Sequence, residues 1–150
     1  MRGADVVPLA TVLDASVAVR WLVTENGSAD AAALLARPTR WIAPRLMLTE
    51  VAGALHRKVS AGKLREVLAS EALEELLGAV GAGEIRLAPD ERVLVAAFTL
   101  ATLLQHRVPD CMYLALAEHE GAGLATADHA LAGLARQRGI VTMLVGGPET

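Results

Sequence analysis

The sequence predicts an α/β protein in which helices cover both faces of a parallel sheet. Short apolar runs alternate with longer runs of helical periodicity along the chain. Parallel strands need crossover connections, and strands buried on both faces lose the polar alternation of one-sided sheets. The length of 150 residues suits one domain, residues 1–150, that buries about two-thirds of its unfolded surface. These observations predict a three-layer architecture, with flexible ends at residues 1–9 and 146–150.

Five short apolar runs predict the strands. Each is bounded by a residue that interrupts regular structure or carries a charge, such as Asp14 after the first run, Pro44 after the second and Gly121 at the start of the fourth. The predicted strands are residues 11–13, 41–43, 84–88, 121–125 and 140–144.

Longer runs with a period near 3.6 residues predict the helices. The clearest is residues 45–61, where Leu48 and Leu55 share one apolar stripe. The segment Pro89-Asp90-Glu91 offers a cap and first-turn acids to a helix that continues to residue 106. In chain order, the predicted helices are residues 16–22, 28–37, 45–61, 65–80, 89–106, 110–118 and 128–138.

Composition excludes several classes of protein. With 53% hydrophobic and 21% charged residues, the chain is too apolar to be disordered. The charge-free stretch at 93–106 is too short to span a bilayer, and the first ten residues lack the apolar core of a signal peptide, so we expect a cytoplasmic protein without a membrane partner. The single cysteine, Cys111, excludes an internal disulfide and a cysteine-based zinc site. The net charge of -3 means that any role with nucleic acid depends on a local site.

Four acidic residues are candidates for a functional site. Ligands of parallel α/β sheets bind beyond the carboxyl ends of the strands. Asp14 ends the first strand, Asp128 follows the fourth, Asp110 begins an apolar helix that should be buried, and Glu50 lies on the long third helix. Although they are far apart in sequence, a doubly wound sheet brings the ends of the first and fourth strands together.

Each acid also has a purely structural interpretation. Asp110 and Asp128 precede helices, where an aspartate cap contributes about 1 kcal/mol. Asp14 also precedes a helix, but an unpartnered charge so close to the sheet is expensive. Glu50 lies opposite the apolar stripe of its helix and would be solvated, although Gly53 on the same face leaves room for another chain to approach.

Taken together, the acids indicate a metal site. Two carboxylates about 4 Å apart repel each other by about 4 kcal/mol at an effective dielectric constant of 20, so a cluster needs a cation. Ligands that offer only oxygen favour Mg²⁺ or Mn²⁺. Such an ion polarises a phosphoryl oxygen and activates a water molecule, which predicts phosphodiester hydrolysis.

Other phosphate-binding and nucleotide-binding folds lack support. A haloacid-dehalogenase-type phosphatase needs a second aspartate two residues after Asp14, where this chain has Ser16. A receiver domain needs a lysine at a late strand end, but both lysines, Lys58 and Lys63, lie mid-chain. The glycine motifs of dinucleotide, P-loop and hydrolase sites are absent. The histidines show no paired zinc spacing and are predicted to lie at the surface; they are His56, His106, His119 and His129.

Four segments resemble, in order, the acidic motifs of PIN-domain ribonucleases, and most of all those of the VapC toxins of prokaryotic VapBC toxin–antitoxin modules. The segments are Val12-Leu13-Asp14-Ala15-Ser16, Leu48-Thr49-Glu50-Val51, Pro109-Asp110-Cys111-Met112-Tyr113-Leu114-Ala115-Leu116-Ala117 and Leu124-Ala125-Thr126-Ala127-Asp128. The resemblance implies a five-stranded parallel sheet of order 3-2-1-4-5 and an endoribonuclease that depends on Mg²⁺ or Mn²⁺. It further implies a homodimer and inhibition by a VapB-type antitoxin, which would occupy the groove beside Glu50.

The resemblance also implies roles for individual residues. Asp14, Glu50 and Asp110 match the three principal acids and Asp128 the more variable fourth, so that Asp14, Asp110 and Asp128 would hold the metal, directly or through water. Ser16 and Thr126 match hydroxyl positions that hold the acids or a metal-bound water. The cations nearest the motifs in sequence are candidates for binding RNA or the antitoxin, unless they are simply solvated; they are Arg20, Arg45, Arg57, Lys58 and Arg107.

Two side chains near the third acid are expected to be structural. Cys111 stands where many PIN relatives have a smaller residue, and a buried neutral thiol would fit there. Tyr113 on the same helix is expected to fill the core with its hydroxyl at an edge.

A non-enzyme alternative stays open. The chain would then be a catalytically weak or inactive PIN-like module that binds RNA or protein and keeps its acids for structure. The presence of all four acids argues against it, because only an enzyme needs its full ligand set. Loss of Mn²⁺ binding in Asp14→Asn would distinguish a metal site from structural acids.

Overall fold

The sheet is parallel throughout, with the strand order β3-β2-β1-β4-β5. The computed structural model describes residues 7–24 and 27–146. The strands are β1 (Ala10–Leu13), β2 (Arg40–Pro44), β3 (Ile85–Ala88), β4 (Gly123–Thr126) and β5 (Thr142–Leu144). The strand order confirms the expected fold, and it places β1 and β4 side by side at the centre.

Helices cover both faces of the sheet. The helices are α1 (Ala15–Leu22), α2 (Ser28–Leu35), α3 (Leu46–Ser60), α4 (Glu66–Gly81), α5 (Leu94–Leu104), α6 (Val108–Glu120) and α7 (His129–Gln137). Helix α6 contacts β1, β2 and β4 and carries α5 on its outer side, while α1 packs against α2 and α3. The three-layer α/β prediction is therefore confirmed.

Helix α6 is the most buried of the connecting helices, as its uninterrupted apolar sequence predicts. Every residue from Cys111 to Ala117 is buried, and Tyr113 is among the fully buried side chains. Val12 and Leu13 of β1 are likewise fully buried. Since the core surrounds the end of β1, Asp14 begins its helix from a site with little access to solvent.

One predicted helix is wrong at its start. The sequence predicts a single helix over 89–106, with its cap and first-turn acids supplied by Pro89-Asp90-Glu91. Instead, Asp90–Arg92 forms a short 3-10 turn and α5 begins at Leu94. The carboxylate of Asp90 accepts a hydrogen bond of 3.0 Å from the backbone N–H of Leu46, so it caps the start of α3 and not its own helix.

The two ends of the chain are described in part. Residues 1–6 and 147–150, predicted to be flexible, lie outside the described residues. The carbonyls of Pro8 and Leu9 accept hydrogen bonds from the Thr39 hydroxyl and the Arg40 N–H. In the described part of the chain, every helix is too short or too polar to cross a membrane.

Candidate active site

A cleft of about 550 Å³ brings the four predicted acids together beyond the carboxyl ends of β1 and β4. Its acidic lining is Asp14, Glu50, Asp110 and Asp128, and Ser16 lies among them. These residues come from four different segments, which the parallel sheet, the packing of α6 against its centre and the packing of α3 against α1 draw to one place.

Asp14 is the most buried of these acids, at 7% exposure. It follows the last residue of β1, and its backbone N–H donates to the carbonyl of Ala125 in β4. Burial raises the pKa of Asp14 to about 6; hydrogen bonds from Ser16 and Thr126 oppose this increase, and the charges of Glu50 and Asp110 add to it. Although Asp14 occupies the residue before α1, its side chain does not cap that helix.

Two hydroxyls hold one oxygen of the Asp14 carboxylate. Ser16 Oγ donates to Oδ2 at 2.6 Å and Thr126 Oγ1 donates to the same oxygen at 2.7 Å. Each hydroxyl in turn accepts a backbone N–H, from Ala127 at 2.9 Å and from Asp128 at 3.0 Å respectively. Because these N–H groups can only donate, they orient both hydroxyls toward the carboxylate.

Glu50 is half-buried and is held by a residue of another helix. The hydroxyl of Tyr113 donates a hydrogen bond of 2.5 Å to Oε1 of Glu50. Burial raises the pKa of Glu50, the Tyr113 bond lowers it, and Asp110 raises it further. The solvated-glutamate interpretation is therefore wrong. Tyr113 fills the core as expected, but its contact with Glu50 joins residues 63 positions apart and has no local sequence signal.

Asp110 lies in the first turn of α6 and does not cap it, since the helix begins at Val108. Its Oδ2 lies 2.9 Å from Nε2 of His106, whose side chain is 24% exposed. His106, predicted to be a surface residue, is partly exposed, and its contact with an acid of the cleft was not predicted. The neighbouring Cys111 is fully buried, and burial raises the pKa of its thiol, as expected for a neutral structural cysteine.

Asp128 combines a structural role with its place in the cleft. Its Oδ1 accepts a hydrogen bond of 3.1 Å from the backbone N–H of Leu131 and caps α7. The capping interpretation is confirmed for this acid. It also lines the cleft, so this residue both caps α7 and borders the cleft.

Basic residues surround the acids. Arg20, Arg57 and Lys58, all predicted from the sequence, line the cleft, and so does Lys63, which the sequence reasoning missed. The positive charge of Arg107 lowers the pKa of Glu50, as does that of Arg57. Arg45 is exposed and is not part of the cleft lining. Lys63 could have been identified from its position in the sequence, because it follows α3 closely and the last helical turn of α3 carries the basic residues Arg57 and Lys58.

The fold and this cleft agree with a comparison against protein families. The model of the PIN domain matches residues 11–137, from β1 through α7. The chain belongs to the PIN domain family. PIN domains are generally nucleases, and this PIN domain has an acid in each of its four PIN-like motifs. Among curated proteins, none matches the sequence significantly.

Solved structures share the PIN fold at low sequence identity. PAE2754 from Pyrobaculum aerophilum is 21% identical, with a TM-score of 0.66 over 83% of this chain and 78% of its own. VapBC2 from Rickettsia felis, bound to a DNA fragment from their promoter, is 12% identical, with a TM-score of 0.61 over 91% and 98%. A domain of a functionally unknown protein from Methanocaldococcus jannaschii is 16% identical, with a TM-score of 0.51 over 94% of both chains.

The oxygen donors of this PIN domain fit a hydrated divalent cation better than a closed protein cage. Among the described residues, no three His, Cys, Asp or Glu side chains are gathered closely enough to hold a metal ion between them. Mg²⁺, however, usually keeps several waters and takes only one or two carboxylates. Both hydroxyl bonds to Asp14 go to Oδ2, and no buried side-chain oxygen in the described ranges lacks a partner, so Oδ1 reaches the solvent of the cleft.

Proposed function

We propose that this PIN domain is an endoribonuclease that requires Mg²⁺ or Mn²⁺ and acts in the cytoplasm as the toxin of a type II toxin–antitoxin system. The observation that carries the proposal is the position of Asp14. Its carboxylate is fixed through Oδ2, is desolvated, and offers Oδ1 to a cleft shared with Glu50 and Asp110. A buried carboxylate beside two others is costly unless a cation joins it.

In this proposal Asp14, Asp110 and Asp128 hold the metal, directly or through water. When bound, a divalent cation supplies Lewis-acid stabilisation of the phosphoryl oxygens and makes a water molecule a better nucleophile. Ser16 and Thr126 keep Asp14 oriented for that role. Glu50, half-buried in the same cleft, completes the shell of the cation or orients the attacking water.

The cations of the cleft would bind the RNA backbone. Arg20, Arg57, Lys58 and Lys63 lie beside the acids, so phosphates can approach a site that would otherwise repel them. Because the whole chain has a net charge of -3, this binding is local and should weaken steeply with salt. Arg107 can contribute through its effect on Glu50, whereas Arg45 lies outside the cleft lining.

The proposed partners are a VapB-type antitoxin and a second copy of the chain. Support for the antitoxin comes from the VapBC2 structure, in which a chain of this fold occurs in a complex. An antitoxin with a cationic side chain would match the acids beside Glu50.

Support for a homodimer comes from α5, where Val95, Phe98 and Leu103 are 78%, 63% and 69% exposed. An uncharged apolar stripe of this kind is typical of a protein interface.

Cleavage of end-labelled total RNA tests the enzyme proposal. Purified protein is incubated with Mg²⁺ or Mn²⁺, with EDTA, and as the Asp14→Asn variant. Discrete fragments that require both the metal and Asp14 are expected. Fragments that the purified protein still produces in EDTA or as the Asp14→Asn variant would contradict the proposal.

A catalytically inactive binding module is the second candidate. It is favoured by one observation, the absence of a tight three-carboxylate cluster among the described residues. That candidate predicts RNA binding without cleavage and without a contribution from divalent cations. Binding of a labelled RNA that is equal in Mn²⁺ and in EDTA, with no fragments, would select it.

A further inference from the structure

The hydroxyl of Tyr113 joins three of the segments that build the cleft. It donates to Glu50 Oε1 on α3. Burial raises the pKa of this hydroxyl, and the backbone N–H of Ala15, the residue after Asp14, lies close enough to oppose that increase. Tyr113 itself stands three residues after Asp110, one turn further along α6. One buried hydroxyl on the helix of Asp110 thus bonds to Glu50 and lies beside the segment of Asp14.

Packing alone does not require this hydroxyl. The Tyr113 side chain is fully buried, and a phenylalanine ring would fill the same volume. Burying a hydroxyl is unfavourable unless it is hydrogen-bonded, and the hydrogen bond that Tyr113 donates goes to Glu50 in the cleft. The hydroxyl therefore holds a residue of the cleft, whereas the ring of Tyr113 fills the core.

Glu50 is the group that gains most from such a contact. A glutamate on the outer face of a helix has several accessible rotamers, and ordering it costs conformational entropy at the moment of binding. The Tyr113 bond selects one arrangement in advance. Since Oε1 takes that bond, Oε2 remains for the cleft that Glu50 lines.

We propose that Tyr113 is a positioning residue, which holds Glu50 so that a single carboxylate oxygen serves the hydrated cation of the cleft. The proposal rests on the proposed function, because it assigns Tyr113 a part in cation binding. It goes further because the burial of Tyr113 alone would indicate only a packing role in the core. Outer-shell partners of this kind typically change metal affinity tenfold or more when they are removed.

Calorimetric titration of Mn²⁺ into a set of variants tests the proposal. Tyr113→Phe, Glu50→Ala and their combination form a double-mutant cycle. Thr11→Val is the matched control, because it removes an equally buried hydroxyl at the other end of β1, where Thr11 and Thr39 are hydrogen-bonded at 2.9 Å. Tyr113→Phe should weaken Mn²⁺ binding about tenfold, and Thr11→Val should leave it unchanged.

The cycle separates positioning of Glu50 from a general effect on the fold. In the Glu50→Ala background, Tyr113→Phe should alter Mn²⁺ affinity by less than about twofold. An equal loss in both backgrounds, or no loss in the single variant, would overturn the proposal while leaving the proposed function intact if wild type binds Mn²⁺.

Metal-free crystal structures of wild type and Tyr113→Phe provide a readout that does not depend on the cation. The Glu50 side chain should leave its wild-type rotamer in the variant. An unmoved Glu50 would overturn the positioning role. If wild-type protein binds no Mn²⁺, the proposed function fails, and these two structures alone decide whether Tyr113 positions Glu50.

Discussion

The hydroxyl of Thr126, at the end of β4, donates a hydrogen bond of 2.7 Å to the carboxylate of Asp14, which directly follows β1. The two residues are 112 positions apart, and they meet because β1 and β4 are neighbours in the sheet. Thr126 also accepts the N–H of Asp128. A single threonine therefore connects the first and fourth acidic segments and fixes the direction in which Asp14 presents its free oxygen.

Asp14→Asn is expected to remove a pH-dependent loss of stability in the metal-free protein. The pKa of Asp14 is about 6 in the fold against an ordinary value of 3.8, so the folded state binds more protons than the unfolded state between these values. The contribution of Asp14 is therefore most favourable below about pH 4 and is lost as the pH rises through about 6. The shift corresponds to about 3 kcal/mol.

Urea unfolding in EDTA at about pH 4 and about pH 7 measures this effect. Wild type should lose about 2 to 3 kcal/mol more than Asp14→Asn between the two conditions. Asparagine retains an oxygen for the Ser16 and Thr126 hydroxyls, so the variant is expected to fold. The same pH dependence in both proteins would show that Asp14 is solvated and that the burial argument is wrong.

Thr126→Val should destabilise the fold and shift the pH profile of cation binding. The substitution keeps the shape but removes a donor to Asp14 and an acceptor for Asp128, at a cost of about 1 to 3 kcal/mol. Because the Thr126 bond lowers the pKa of Asp14, its loss raises that pKa. The midpoint of the acid limb of Mn²⁺ binding should therefore move to higher pH.

Thr11→Val is the control for this prediction as well. It removes a fully buried hydroxyl that is bonded to Thr39 and does not contact the acids. Both variants should lose stability in urea, but only Thr126→Val should change the pH profile measured by calorimetry. A shift of the same size in both variants would assign the effect to general loosening of the sheet.

The strands and the four acids could be predicted because their signals are local. Asp14 and Asp128 each stand between an apolar run and a helical pattern, and the parallel topology then brings the strand ends together. Contacts between distant segments had no such signal. Asp90 has the sequence of a helix start, yet it caps α3, 44 residues away, because the ends of β2 and β3 pair side by side.

The same limit applies inside the cleft. Glu50 lies opposite the main apolar stripe of α3, and periodicity therefore favours a solvated side chain. Only the packing of α6 against the centre of the sheet brings Tyr113 to it. The contact between His106 and Asp110 was missed for a related reason: the predicted start of the helix at Asp110 lies two residues after the observed start at Val108, which places the preceding loop against the Asp110 carboxylate.

Phe98→Glu should convert the proposed homodimer into a monomer. Phe98 is 63% exposed on α5, and the hydroxyls of Thr99 and Thr102 on the same stripe are satisfied by carbonyls of their own helix. A charge placed there would have to be buried in the interface. Sedimentation velocity should show a dimer for wild type and a monomer for the variant, while Leu77→Glu, at an apolar position on α4 that is 54% exposed, should leave the dimer intact.

Arg57→Glu should weaken RNA binding and make it less sensitive to salt. Arg57 lies on α3 beside Glu50 and lines the cleft, so a phosphate held there would release a counterion on binding. Affinity for a labelled RNA is measured in EDTA, which prevents cleavage, over a series of salt concentrations. Loss of one phosphate contact reduces the slope of log affinity against log salt by about 0.7 to 0.9, and reversal of the charge should reduce it further.

Arg136→Glu, which makes the same change in the last turn of α7 and outside the cleft lining, should retain the wild-type slope. If Arg57→Glu also retains it, the RNA backbone does not follow the α3 side of the cleft, and the cations on the α1 side, beginning with Arg20, become the binding surface to be tested.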